Sequence, residues 1–186
     1  MSDIVIDADI MRSAGTSEHP NSSNARKLLD AVWVAGHRLV QCSPIKEEHD
    51  RHQGRYASLW RTKMISKKRW VHWKYEEDKD LRRVLVDALP AGSRARDREV
   101  LKDAHLLEAA AATDKRIVSK DGTARNLFRL ACPHLNVHKS ILWGDLTGSP
   151  AKVIQWVDNG CAERNDFRLC PQASKKVAKK PARKRV

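Results

Sequence analysis

The 186-residue chain contains no run of about 18 or more apolar residues, so no membrane-spanning helix and no membrane partner are expected. Its first residues carry neither a basic stretch nor a long apolar segment, which argues against a secretory signal and points to the cytoplasm. Internal repeats are absent. Cysteine is sparse, and Cys42, Cys132, Cys161 and Cys170 form no C-x-x-C pair. Cys161 and Cys170 stand outside the usual zinc spacing. Four free thiols are the expectation in a reducing compartment, ahead of a zinc site completed by His134 or His138.

Charge is present in excess. Lys and Arg number 36 against 23 Asp and Glu, a net charge of +13. The stretch from Ser174 to Val186 holds Lys175, Lys176, Lys179, Lys180, Arg183, Lys184 and Arg185 and no acid. A polyanion is the natural partner of such a chain, nucleic acid foremost; the competing reading is a charge excess that serves solubility alone.

The segment Ile4-Val5-Ile6-Asp7-Ala8-Asp9 reads as a strand buried on both faces that ends on acids. Asp7 would then face the ligand crevice of an open α/β sheet, or simply cap the next helix. Arg12 to Asn21 reads as a loop, and Ser22 or Ser23 as the cap of a helix ended by Gly36. A strand over Arg38–Cys42 follows, then a helix opened by Ser43-Pro44 that carries Glu47 and Glu48. From Gly54 to Tyr75, Trp60, Trp70 and Trp73 alternate with Arg61, Lys63, Lys67, Lys68 and Arg69. The tryptophans are expected mainly in the core, the cations against phosphate. Helices are expected from Asp78 to Leu89 and, after a break at Pro90–Ser93, from Asp97 to Thr113, with Asp103 beside the apolar stripe. A strand over Arg116–Ser119 leads to Asp121. A helix over Thr123–Leu130, a strand over His138–Trp143 and a helix over Pro150–Asp158 complete the pattern.

Four acids therefore collect at one end of one sheet: Asp7, Glu47 or Glu48, Asp103 and Asp121. Carboxylates brought together repel, and a hard divalent cation with oxygen ligands removes the conflict. Such a cation also acidifies water and orients a phosphate, which makes phosphodiester hydrolysis the natural chemistry.

The segments IVIDADI, SPIKEEH and KDAHLLEAAAATDKRIVSKDGTARNLF resemble the PIN-domain nucleases, the fold of VapC-type toxins and of many RNA-processing enzymes. The resemblance spans roughly residues 3–145. It matches Asp7 to the acid ending strand one and Glu48, with Glu47 as fallback, to the Glu after strand two. Asp103 matches the acid of the D-x-x-L-x-x-A helix, Asp121 the acid after the next strand, and Asp9 and Ser119 the supporting positions. Thr123 stands where many members carry a further Asp.

The resemblance implies a three-layer α/β/α fold with a mainly parallel sheet. It implies a Mg²⁺- or Mn²⁺-dependent endoribonuclease that leaves 3′-hydroxyl and 5′-phosphate ends. RNA would be the substrate, DNA the second candidate, and an antitoxin protein or a second copy of the chain the protein partner. Arg61, Lys67, Lys68 and Arg69, from the basic stretch between Gly54 and Tyr75, and Arg125, one turn into the helix after Asp121, are the candidate nucleic-acid contacts, a plain surface cation being the equal alternative for Arg125. The expected division is a nuclease domain over 1–145, a helical extension over 146–173 and a disordered basic tail over 174–186. Two other readings compete. One is a non-catalytic PIN-like nucleic-acid-binding module. The other is a haloacid-dehalogenase-type phosphatase, to whose nucleophile motif Asp7-Ala8-Asp9 is similar, with Gly144-Asp145 as a faint later match.

Overall fold

Ile4, Val5 and Ile6 are fully buried in β1 (Asp3–Ile6), the middle strand of a five-stranded, all-parallel sheet in the computed structural model. The structure describes residues 1–90 and 94–171, with the side chains at 94–96 outside that description. The expected tail over 174–186, the end of the extension and Ala91–Ser93 of the expected break therefore lie outside the described residues.

From β1 the chain passes through α1 (Ala8–Ser13), α2 (Pro20–Val34), β2 (Arg38–Gln41), α3 (Ser43–His52), α4 (Arg55–Ser66) and β3 (Trp70–His72). It continues through α5 (Lys79–Asp87), α6 (Arg94–Lys102), α7 (Ala104–Ala111), β4 (Arg116–Ser119), α8 (Gly122–Leu130), β5 (Leu142–Asp145) and α9 (Pro150–Asp158). The strand order is β3-β2-β1-β4-β5. The chain thus winds outward from β1 on one side, returns to β4 on the other, and winds outward again. The reversal places a topological switch point between the carboxyl ends of β1 and β4, where ligands bind in sheets of this kind.

Alternate strand residues feed two cores. Val5, Val40, Ile117 and Trp143 pack with Leu85, Leu107 and Phe128 on one face. Ile4, Ile6, Leu39, Val118 and Leu142 pack with Met11, Leu28, Trp60 and Trp156 on the other. Helices cover both faces, giving three α/β/α layers, as the near-continuous apolar strands require. Trp156 and Val157 bring α9 into the second core against α2.

Several expected boundaries shift. The loop expected over Arg12–Asn21 is shorter, because α1 runs to Ser13 and α2 opens at Pro20. The cap of α2 is His19, whose ring accepts from the Asn21 amide, while Ser22 is buried and donates to the Gly15 carbonyl. Gly36 ends α2 as expected, at a φ of +76° that glycine adopts freely. Ser43 lies inside α3, and Cys42 takes the cap position without a side-chain bond. β3 is a three-residue edge strand with two exposed residues, too short and too wet to leave a periodic signal. The strand expected at His138–Trp143 begins at Leu142, after a 3₁₀ turn over Val137–Ser140.

The expectation of four free thiols is overturned. Cys132 and Cys170 form a disulfide, while Cys42 and Cys161 are free and buried. An antiparallel bridge between Leu142 and Arg168, with the Leu169 amide donating to the Ile141 carbonyl, lays the C-terminal segment beside the end of α8. That brings together two cysteines 38 positions apart, a proximity no spacing rule reveals. Replacing Cys132 with serine is expected to lower stability by about 4 kcal/mol, read by urea titration under non-reducing conditions.

Candidate functional site

Asp7 follows β1 and Asp121 follows β4, so the two acids flank the switch point. Each also caps a helix: Asp7 accepts from the Asp9 amide at the start of α1, and Asp121 from the Ala124 amide at the start of α8. The capping reading and the site reading therefore hold together. Ser119, fully buried, links the two. Its hydroxyl donates to Asp7 Oδ2 at 2.5 Å and accepts from the Asp121 amide at 2.8 Å.

Glu48 reaches the same place from α3. That helix is pinned to β1 by His49, whose Nε2 donates to the Ile6 carbonyl at 2.8 Å while Nδ1 accepts from Gln41 Nε2 at 3.1 Å. Glu47 is exposed, whereas Glu48 lines the acidic cleft, so the structure favours Glu48 over its neighbour.

Asp103 arrives by a break in the helix. The single helix expected over Asp97–Thr113 is instead α6 and α7, and Asp103 sits at the junction with φ −98° and ψ 2°. Its side chain does not cap α7. The kink turns a residue beside an apolar stripe into one that lines the cleft, where Ala104 and Leu107 continue the core.

The cleft encloses about 80 Å³ and is lined by Asp7, Asp9, Glu48, Asp103 and Asp121, with Arg12, His52 and Lys102 among them. All four acids of the expected set meet there, together with Asp9. Burial pushes the Asp7 carboxyl up to about 6, although the Ser119 hydroxyl opposes it. Burial likewise pushes Asp103 up to about 6, against the pull of Lys102. Glu48 also feels burial, but His105 and Lys102 outweigh it and hold its pKa below the usual value. The His105 Nε2 to Glu48 contact is 3.5 Å, too long for a strong hydrogen bond, so this attraction is chiefly electrostatic.

Among the described residues, no three His, Cys, Asp or Glu side chains are drawn close enough to form a ready metal cage. The donor chemistry nevertheless fits a hard cation. The acids offer oxygen only, and two of them are buried with charge that the neighbouring cations do not fully compensate.

The remaining expected residues lie elsewhere. Lys67, Lys68 and Arg69 precede β3, at the amino edge of the sheet, opposite the carboxylates. Arg69 donates to the Trp33 carbonyl and covers the Trp33 ring together with Lys63. Arg61 is bonded to Asp50 on α3. Trp60 is buried and donates to the Leu29 carbonyl, while Trp70 is partly exposed. Arg125 lies 3.9 Å from Asp145 in a second cleft lined by Trp143, Lys152 and Asp166. Asp145 belongs to that cleft and not to the one lined by Asp7.

Lys102, Arg12, His52 and His105 escaped the reading of the sequence. Only Lys102 and His105 carried a signal, their closeness in sequence to Asp103. Comparison with protein-family models, with curated proteins and with solved structures found no match for this chain.

Proposed function

We propose that this chain is a PIN-like, metal-dependent endoribonuclease. The observation that carries the reading is the convergence of Asp7, Glu48, Asp103 and Asp121, from four separate segments, on one cleft at the switch point of a parallel sheet. In this reading those four residues hold Mg²⁺ or Mn²⁺, an ion that keeps several waters, so direct contact with every carboxylate is not required. When bound, the ion supplies a more acidic water and charge neutralisation at the phosphate. Ser119 fixes the orientation of Asp7 and ties it to the backbone at Asp121. His49 holds α3, and so Glu48, against the end of β1. The net charge of +13 favours a polyanionic substrate. Cleavage leaves a 3′-hydroxyl and a 5′-phosphate.

A second reading, a non-catalytic nucleic-acid-binding module, draws on the capping roles of Asp7 and Asp121 and on the absence of a ready cage among the described residues. End-labelled single-stranded RNA and DNA, incubated with Mn²⁺, Mg²⁺ or EDTA, separate the two. The nuclease reading expects RNA cleavage with Mn²⁺ and none in EDTA. Binding without cleavage under every condition would establish the second.

A further inference from the structure

Lys102 is the last residue of α6 and stands directly before the break at Asp103. Its Nζ lies 3.7 Å from Asp103 Oδ1, and it lines the cleft with all four acids. The carboxyl end of α6 reinforces the preference for a cation there. Arg12, the neighbouring arginine in the cleft, is instead paired with Asp9 at 2.5 Å. The Lys102 side chain is 70% exposed, so its stem is free to swing into solvent without disturbing the core.

We propose that Lys102 is the resident counter-ion of the carboxylate cleft, an ammonium with which an entering divalent cation competes. The inference rests on reading the cleft as a cation site. A monovalent charge on a flexible stem balances part of the acidic charge in the ion-free protein, and a dication must share or displace it. Lys102 therefore sets the ion concentration at which the site fills. It favours ions whose charge and desolvation outmatch an ammonium, and it keeps the four acids from repelling one another before an ion arrives.

The test is a calorimetric Mn²⁺ titration of the full chain, with no nucleic acid present, for wild type, Lys102→Met and Lys102→Arg. Thermal melts in EDTA establish that all three are folded. Removing the charge is expected to tighten Mn²⁺ binding roughly tenfold, as expected for one partly screened positive charge beside a dication. The Lys102→Arg variant is expected to bind as wild type does, because the competing charge remains. If wild type binds Mn²⁺ and Lys102→Met binds equally or more weakly, the counter-ion role is overturned while the cation site stands. If no variant binds Mn²⁺, the cation site and the counter-ion role fall together.

Discussion

Asp103→Asn is expected to make the ion-free protein more stable at neutral pH and to abolish the cleavage proposed for the cleft. The Asp103 carboxyl is pushed up to about 6 by burial, against an ordinary 3.8. A difference of that size corresponds to about 3 kcal/mol of strain borne by the ionised folded form. The sign follows from proton binding. The folded state takes up this proton more readily than the unfolded chain, so wild type gains stability as pH falls from about 7 through 6 towards 4. Asparagine carries no charge to desolvate, so its advantage is greatest above about pH 7 and disappears near pH 4. Urea titrations in EDTA at both ends of this range read the effect. Mn²⁺ should reverse the order, raising the melting temperature of wild type and leaving the variant unmoved. A residue retained at a cost to the ion-free fold is what a binding site requires.

His49→Ala is expected to cost about 4 kcal/mol, by cavity formation and by stranding two buried polar partners. His49 is fully buried, and its ring bonds both the Ile6 carbonyl and the Gln41 side-chain amide, tying α3 to β1 and β2. Cleavage should fall as well, because Glu48 is the residue before it and depends on the same helix position. Burial holds the His49 ring well below its ordinary value, at about 4, although the Ile6 carbonyl bond opposes this. The ring therefore stays neutral in the folded state at pH 7. Its contribution is complete above about pH 6.5 and is lost as pH falls towards 4, the reverse of the trend for Asp103. Urea titration of wild type and His49→Ala across that range should show the difference between them shrinking in acid.

The parts of the fold that were legible in the sequence were those written in local pattern. The apolar run Ile4–Ile6, the strand Arg116–Ser119 and the helix Pro150–Asp158 announce themselves by periodicity and turn residues. β3 did not, because a wet three-residue edge strand is held by its register with β2 rather than by its own composition. The disulfide was hidden for a related reason: Cys132 and Cys170 meet only because the C-terminal segment pairs with β5. Within the site, Asp7 and Asp121 could be picked out because each follows a recognisable strand, and Glu48 because it lies on the helix opened by Ser43-Pro44 after the next one. The kink at Asp103 could not, since the stretch from Asp97 to Thr113 has helical propensity throughout and the cleft geometry overrides it. The basic residues before β3 were misleading as site markers. A linear stretch rich in cations and tryptophans does not reveal that the carboxyl edge and the amino edge of a sheet face opposite ways.

The account depends on four side chains acting as a single unit. Single-turnover cleavage of labelled RNA in Mn²⁺ should be measured for wild type, Asp7→Asn, Glu48→Gln and Asp121→Asn, and for a double variant. Each single change is expected to reduce the rate roughly 100-fold or more, with the double variant little worse than either of its parents. Cleavage at the wild-type rate by any one of these variants, or cleavage that persists in EDTA, would contradict it.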